Sequence, residues 1–280
     1  MEEKLHSISI VGTGLIGASL GRALMGSFLI KGFDRNPENV QTAVEIGAVE
    51  YVCKSVEEVF SSDLILISIP VQFIPVFLNE NRENFKTGSV VMDTGSTKKL
   101  VVDTMKHLPE TVEFVGGHPI AGKEKSGPHS ADENLFRGKK FVLTNENRLT
   151  ENGSSLVKSV IQKIGARPVF MSAEFHDRVL AYTSHFPYFV ASALFDFVLK
   201  KEREIPEIFE FAGTGLKDTT RIASGDVEMS LGMLETNKEN IVKLIDEFMQ
   251  LLSEMREKFN KGELAAELKA VKERRDKIWK

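Results

Sequence analysis

The sequence has one cysteine, one tryptophan and no excess of positive charge. The lone Cys53 excludes an intramolecular disulfide, and with few other soft ligands around it argues against a zinc site. A formal net charge of −4 supplies no basic field for nucleic acid or anionic lipid, although a small anion can still meet a local cluster. No long apolar run is present either. The most apolar stretch, LILISIPVQFIPVFL at 64–78, carries two prolines and a glutamine and is too short to span a bilayer. The first residues, MEEKLHSISIVG, are acidic and then strand-like, without the basic start and apolar stretch of a signal peptide. These absences predict a cytoplasmic protein that binds neither nucleic acid nor membrane.

What is present suits a folded chain of two domains. At 280 residues a large core can be buried, and 42% apolar residues are enough to fill it. Up to about residue 171, β-branched runs (HSISIV, SFLIKGF, DLILISI, SVVMD, VEFVG, KFVLT) alternate with amphipathic stretches such as LIGASLGRALM, PENVQTAVEIG and TENGSSLVKSVIQKIG. Alternation of this kind predicts a parallel sheet covered on both faces. From Ser172 onward the strand signals stop. In SAEFHDRVLAYTSHFPYFVASALFDFVLKK the apolar residues follow helical spacing, and two later segments repeat it with Gly262 as the break between them. The expected division is a Rossmann-like α/β domain at 1–171 and an all-α domain at 172–280. The aromatic stripe from Phe186 to Phe197 is read as core packing, and the apolar helical faces predict a dimer.

ISIVGTGLIGASLG, residues 8–21, places Gly12, Gly14 and Gly17 directly after a strand and at the start of a helix. The first glycine allows the tight turn and the second lets backbone approach a pyrophosphate. The third brings helix and sheet together, and the helix N-terminus favours phosphate charge. Asp34 ends the next strand at the spacing of a ribose-binding acid. A carboxylate there accepts from ribose hydroxyls and repels a 2′-phosphate, so NAD is expected over NADP, with Arg35 beside it as a moderating charge. Gly12, Gly14, Leu15, Ile16, Gly17, Asp34 and Arg35 are assigned to the cofactor, together with Ser68, Ile69 and Pro70 at a later strand end.

FVGGHPIAGKEKSG, residues 114–127, brings a histidine to another strand end. Gly116 and Gly117 are read as permitting a sharp turn, and Pro119 as biasing His118 toward extended backbone. An imidazole held there suits a general base, since its ordinary pKa lies near neutrality. The same residues fit a loop histidine that only bonds its neighbours. Ser96, in DTGSTKK, is read as the cap of the next helix, as a hydroxyl that orients the histidine, or as a contact to substrate. Arg221 taken alone reads as a solvated helix arginine, and His185 as a satisfied core histidine or a substrate contact. His6, His107, His129 and His176 are given no role.

With these pieces together, the chain resembles the prephenate dehydrogenase family, which includes prephenate and arogenate dehydrogenases. The resemblance runs nearly end to end, through VGTGLIGASL, GFD, DTGSTK, GGHPIAGKEKSGPHSADENLF, DRVLAYTSHFP and GLKDTTRIAS. It implies a Rossmann-like domain joined to a helical domain that makes most of a dimer contact. It implies NAD-dependent oxidative decarboxylation of prephenate to 4-hydroxyphenylpyruvate in tyrosine biosynthesis. His118 is then the catalytic base and Ser96 its hydroxyl partner. Glu124 is an acid shaping the entrance, Ser184 and His185 line the substrate pocket, and Arg221 binds the ring carboxylate. Lys217, Asp218 and Asp177 join the surrounding charges. Two positions depart from the family pattern: Tyr188 stands where members often have histidine, and Ser230 where tryptophan is common. Both fall on the expected substrate pocket, and they bear on prephenate against arogenate. The alternatives are an arogenate dehydrogenase, a β-hydroxyacid dehydrogenase or imine reductase, and a catalytically silent NAD-binding sensor or dimeric scaffold. The hydroxyacid enzymes place a catalytic lysine on the long helix, and DRVLAYTSHFPY has none.

Overall fold

A computed structural model describes residues 6–123 and 125–279 of the chain. The chain forms two compact units, one running to Asn237 and one starting at Lys238. The first unit is built on a sheet whose strands are β1 (Ser7–Val11), β2 (Leu29–Phe33), β3 (Tyr51–Val52), β4 (Leu64–Ile67), β5 (Val90–Asp93), β6 (Glu113–Pro119), β7 (Lys140–Arg148) and β8 (Arg167–Met171). Their order across the sheet is β3-β2-β1-β4-β5-β6-β7-β8.

Every pair from β3 to β6 is parallel, so the carboxyl ends of β1, β2, β4, β5 and β6 share one edge. The expectation of a parallel sheet fails at one place. β7 runs antiparallel to β6, because the segment between them holds no α-helix to carry the chain back across the sheet. β3 is only two residues long and β8 carries Pro168 near its start, so neither reads as a strand in sequence.

Side chains alternate across the strands. Ile8, Ile10, Leu64 and Leu66 enter one core cluster, and Val11, Ile65 and Ile67 enter the other. The first cluster is closed by α1 (Leu15–Leu24), α2 (Pro37–Glu45) and α6 (Glu151–Lys163), the second by α3 (Val56–Val59), α4 (Ile74–Glu80) and α5 (Lys99–Met105). Burial on both faces explains why β4 is apolar at every position.

Strands end at Met171 and helices follow: α7 (Ala173–Leu180), a π-turn at Ala181–His185, α8 (Phe186–Lys201), α9 (Thr214–Thr220) and α10 (Val227–Thr236). Pro187 sits in the first turn of α8 and has no N–H to continue the helical ladder, so the widened turn before it absorbs the missing bond. One expectation is corrected on α8. Its aromatic stripe is not core packing in this chain, since only Ala191 is buried while Leu194, Phe195, Phe197 and Leu199 stay exposed. The second unit holds α11 (Lys238–Lys261) and α12 (Ala265–Ile278), separated at Gly262, whose φ is +74°. Among the described residues no helix is long and apolar enough to cross a membrane.

Close approach of α1 to the glycine turn at the end of β1 rests on Gly17. A Cβ added at Gly17 would lie 1.9 Å from the Gly12 carbonyl oxygen, whereas one added at Gly14 would meet nothing within 4 Å. Gly17→Ala should therefore destabilise the fold by about 1–3 kcal/mol, the usual cost of overpacking. Gly14→Ala should stay within about 0.5 kcal/mol of the parent. Thermal unfolding followed by circular dichroism checks both, and equal losses would contradict this packing.

Candidate functional site

The shared edge of the sheet gathers the residues that the sequence singled out. At the end of β1 the chain turns through Gly12, whose φ is +88° and whose N–H donates to the Phe33 carbonyl at 2.8 Å. A side chain there would strike the Ser68 carbonyl at 2.6 Å, so the turn and the neighbouring β4 loop fit only around glycine. Gly14 is the N-cap of α1 and offers no side chain to its first-turn N–H groups. Leu15 and Ile16 begin that helix and pack on the core beneath it. Unshielded N–H donors at a helix start, with open space above Gly14, fit a dinucleotide pyrophosphate.

Beside this turn lies a cavity of about 380 Å³, lined by Gly12, Gly14, Asp34, Arg35, Ser68, Ile69 and Pro70 among others. Asp34 lines it and also braces the glycine turn. One carboxylate oxygen accepts from the Thr13 N–H at 2.7 Å and its hydroxyl at 3.2 Å, while the other accepts from the Asn36 N–H at 2.9 Å. Arg35 lies over the Phe73 ring, 5.4 Å from its centre, and pairs with Glu228 of α10 at 3.3 Å. Glu228 was not foreseen, since nothing local ties position 228 to position 35.

Three strands along the same edge from β1, about 14 Å at standard strand spacing, His118 stands near the end of β6. The sequence put it at a strand end, just past a sharp turn through two glycines. Instead it lies within the strand, and Gly116 and Gly117 serve a β-bulge and close packing, neither having positive φ. A Cβ at Gly117 would lie 2.5 Å from the Asp93 carbonyl oxygen. This approach is fastened by Lys98, which is fully buried, pairs with the buried Asp93 carboxylate and donates to the Gly117 carbonyl at 2.6 Å. Asp93 in turn accepts from the Gly117 N–H at 3.1 Å. Burial lowers the Lys98 pKa, and the Asp93 charge opposes that fall.

His118 is half-buried, and its Nδ1 lies 2.8 Å from Nε2 of His176. Desolvation, helped by the neighbouring His176, Lys98 and His185, holds the His118 imidazole well below the ordinary histidine pKa. His176 is fully buried, and its Nδ1 lies 2.7 Å from an oxygen of Asp177. The same carboxylate accepts the backbone N–H groups of Lys98 at 2.7 Å and Lys99 at 2.9 Å, closing the N-terminus of α5. Two expectations change here. His176, given no role, is the direct partner of His118, and the only local signal for it is the dipeptide His176-Asp177. Ser96 does not cap α5, whose N-cap is Lys98, and among the described residues no hydrogen bond joins Ser96 to His118. Ser96 remains half-buried in the loop between β5 and α5.

The remaining predicted residues lie on the helices. His185 is buried in the π-turn, with Nδ1 accepting from the Asn237 amide at 3.1 Å. Desolvation pushes its pKa down to about 4, against the pull of Asp177. Ser184 is exposed next to it, and Tyr188 follows one turn on. Tyr188 and Ser230 both flank Gly225, where an added Cβ would lie 3.6 Å from the tyrosine ring and 3.5 Å from the serine hydroxyl. Thus the two positions that depart from the family pattern are neighbours. Arg221 is exposed at the end of α9, where Lys217 and Asp218 are exposed as well. Glu124 lies outside the described residues.

Comparison with known proteins covers both parts of the chain. Residues 20–170 match the family described as prephenate dehydrogenase, nucleotide-binding domain, and residues 172–272 match prephenate dehydrogenase, dimerization domain. A prephenate dehydrogenase of Bacillus subtilis is 32% identical over 262 residues, covering 91% of this chain and 71% of that protein. The crystal structure of prephenate dehydrogenase from Aquifex aeolicus, in complex with hydroxyphenyl propionate and NAD+, superposes with a TM-score of 0.89 at 35% identity, covering 99% of this chain and all of that one. A Synechocystis arogenate dehydrogenase gives 0.81 at 27% identity, covering 97% and 99%. With an open glycine turn at one end of a shared sheet edge and a backed imidazole at the other, the chain belongs to the prephenate dehydrogenase family of oxidoreductases.

Proposed function

We propose that this protein catalyses the NAD-dependent oxidative decarboxylation of prephenate to 4-hydroxyphenylpyruvate, a step of tyrosine biosynthesis, as a cytoplasmic homodimer. Residues 1–171 form the cofactor domain and 172–280 the helical substrate and dimerisation domain. The observation that carries this reading is His118 at the carboxyl end of β6, on the same sheet edge as the glycine turn that fits a dinucleotide. The ligands in the Aquifex aeolicus structure, NAD+ and a hydroxyphenyl acid, support it. The exposed apolar side chains of α8 and the match to a dimerization domain support pairing with a second copy.

NAD, when bound, supplies the acceptor for the hydride that leaves the hydroxyl-bearing ring carbon. The chain supplies the rest. Gly12, Gly14, Leu15, Ile16 and Gly17 hold the pyrophosphate, while Ser68, Ile69 and Pro70 flank it. Asp34 disfavours a 2′-phosphate, and the charge of Arg35 beside it is met by Glu228. His118 takes the proton of the ring hydroxyl. Loss of carbon dioxide then makes the ring aromatic, which drives the reaction, so the protein's share is one base, positioning and anion recognition. Ser96 offers a hydroxyl to the same oxygen. Arg221 recognises a substrate carboxylate with its planar two-pronged donor set. Ser184, His185 and Tyr188 shape the pocket around the ring, and Glu124 is assigned to its entrance.

An NADH-absorbance assay tests this reading, with turnover expected on prephenate and NAD and little on arogenate or with NADP. No turnover of either ring substrate would remove it. His118→Asn should lower kcat about a hundred- to ten-thousandfold, the usual contribution of a positioned base, and leave NAD affinity unchanged. Because the base must be neutral and its pKa is depressed, kcat/KM should hold its plateau as pH falls through the ordinary histidine range and decline only below it. An acid limb at or above pH 6.5, the ordinary histidine value, would contradict this. Arg221→Gln should raise KM for prephenate about ten- to a hundredfold, as for loss of a charged hydrogen bond, and an unchanged KM would exclude it from carboxylate recognition.

A further inference from the structure

The base His118 has a specific requirement: its proton-accepting nitrogen must be bare before substrate arrives, and neutral imidazole has two tautomers. We propose that His176, fixed by Asp177, is a positioning residue that selects the tautomer of His118 with Nδ1 protonated and Nε2 free. The inference rests on the reading of His118 as the base.

The argument follows from the donors and acceptors along one chain of hydrogen bonds. Asp177 already accepts two backbone N–H groups at the start of α5, where the helix end favours a negative charge. Held as an anion, it has only lone pairs to offer His176, so His176 Nδ1 must donate across the 2.7 Å contact. A neutral His176 then carries its lone pair on Nε2. That nitrogen lies 2.8 Å from His118 Nδ1, so His118 must be the donor there. With Nδ1 protonated, the remaining lone pair of His118 is on Nε2, the nitrogen turned away from this chain. When Nε2 takes a proton, the new positive charge strengthens the bond to His176 while the Asp177 anion balances it from behind. Outer partners of this kind commonly fix a ring's tautomer and orientation.

Geometry supports positioning over mere packing. His176 has no exposed surface, sits edge-on to His118 at 74° between ring planes, and is bonded through both of its nitrogens. Asp177 belongs to α7, so the tautomer of a strand histidine is set from the first helix after the sheet.

Two variants and one spectrum test the assignment. In His176→Asn the amide keeps the donor toward Asp177 and loses the acceptor toward His118. We expect kcat about ten- to a hundredfold lower, the range for loss of an outer partner, with KM for NAD within about twofold. In His176→Gln the amide oxygen reaches the old Nε2 position, and most of the lost kcat should return. Nitrogen-15 NMR of histidine-labelled wild-type protein, with His118 assigned by loss of its signals in His118→Asn, should show Nδ1 protonated and Nε2 bare. A spectrum with the proton on Nε2 overturns the proposal, as does a His176→Asn enzyme with wild-type kcat. The spectrum needs no substrate and no folded variant at position 176. Absence of prephenate turnover with the expected tautomer would sink the substrate reading and leave the positioning role standing.

Discussion

The carboxylate of Asp177 is the interaction on which the rest of this site depends. It closes the N-terminus of α5 through two backbone N–H groups and holds His176 through a third hydrogen bond. Helix α5 follows β5, whose last residue, Asp93, is tied through Lys98 to the backbone under His118. One carboxylate therefore holds both the start of the helix that carries Lys98 and the imidazole that faces His118. In this buried place the carboxylate is met by hydrogen-bond donors on both oxygens.

The second buried pair, Lys98 with Asp93, does a different job. Charges taken fully out of water are costly unless paired and hydrogen-bonded, and here both conditions hold. The pair joins β5 to β6 where the sheet bulges, and glycine at 117 is what allows the strands to come that close. His118 gains a rigid backbone from this arrangement. Its environment also disfavours the protonated ring, so the imidazole is kept neutral near neutral pH.

Much of the architecture was legible because it is periodic. Alternating strands and amphipathic helices foretold the sheet up to β6 apart from the two-residue β3, and the switch to helical spacing after residue 171 foretold the helices. The antiparallel β7 was missed because direction depends on the connection, and a 20-residue segment with little pattern leaves it open. The α8 stripe was misassigned for a related reason: an apolar face in sequence says that something must cover it, and not whether that is the same chain. Ser96 looked like a cap by type and position, yet the cap of α5 comes from a residue 79 positions away.

The glycine turn, the acid after the next strand and a histidine at a strand end can be read from residues 8–34 and 114–119 alone, because each is a local pattern whose neighbours impose its geometry. What stands behind that histidine comes from the folded chain alone. His176 and His118 are separated by 58 residues and meet because α7 folds back beside the carboxyl end of the sheet. Hydrogen-bond partners brought together in this way leave no spacing to read, since burial and donor geometry choose them after the elements have packed.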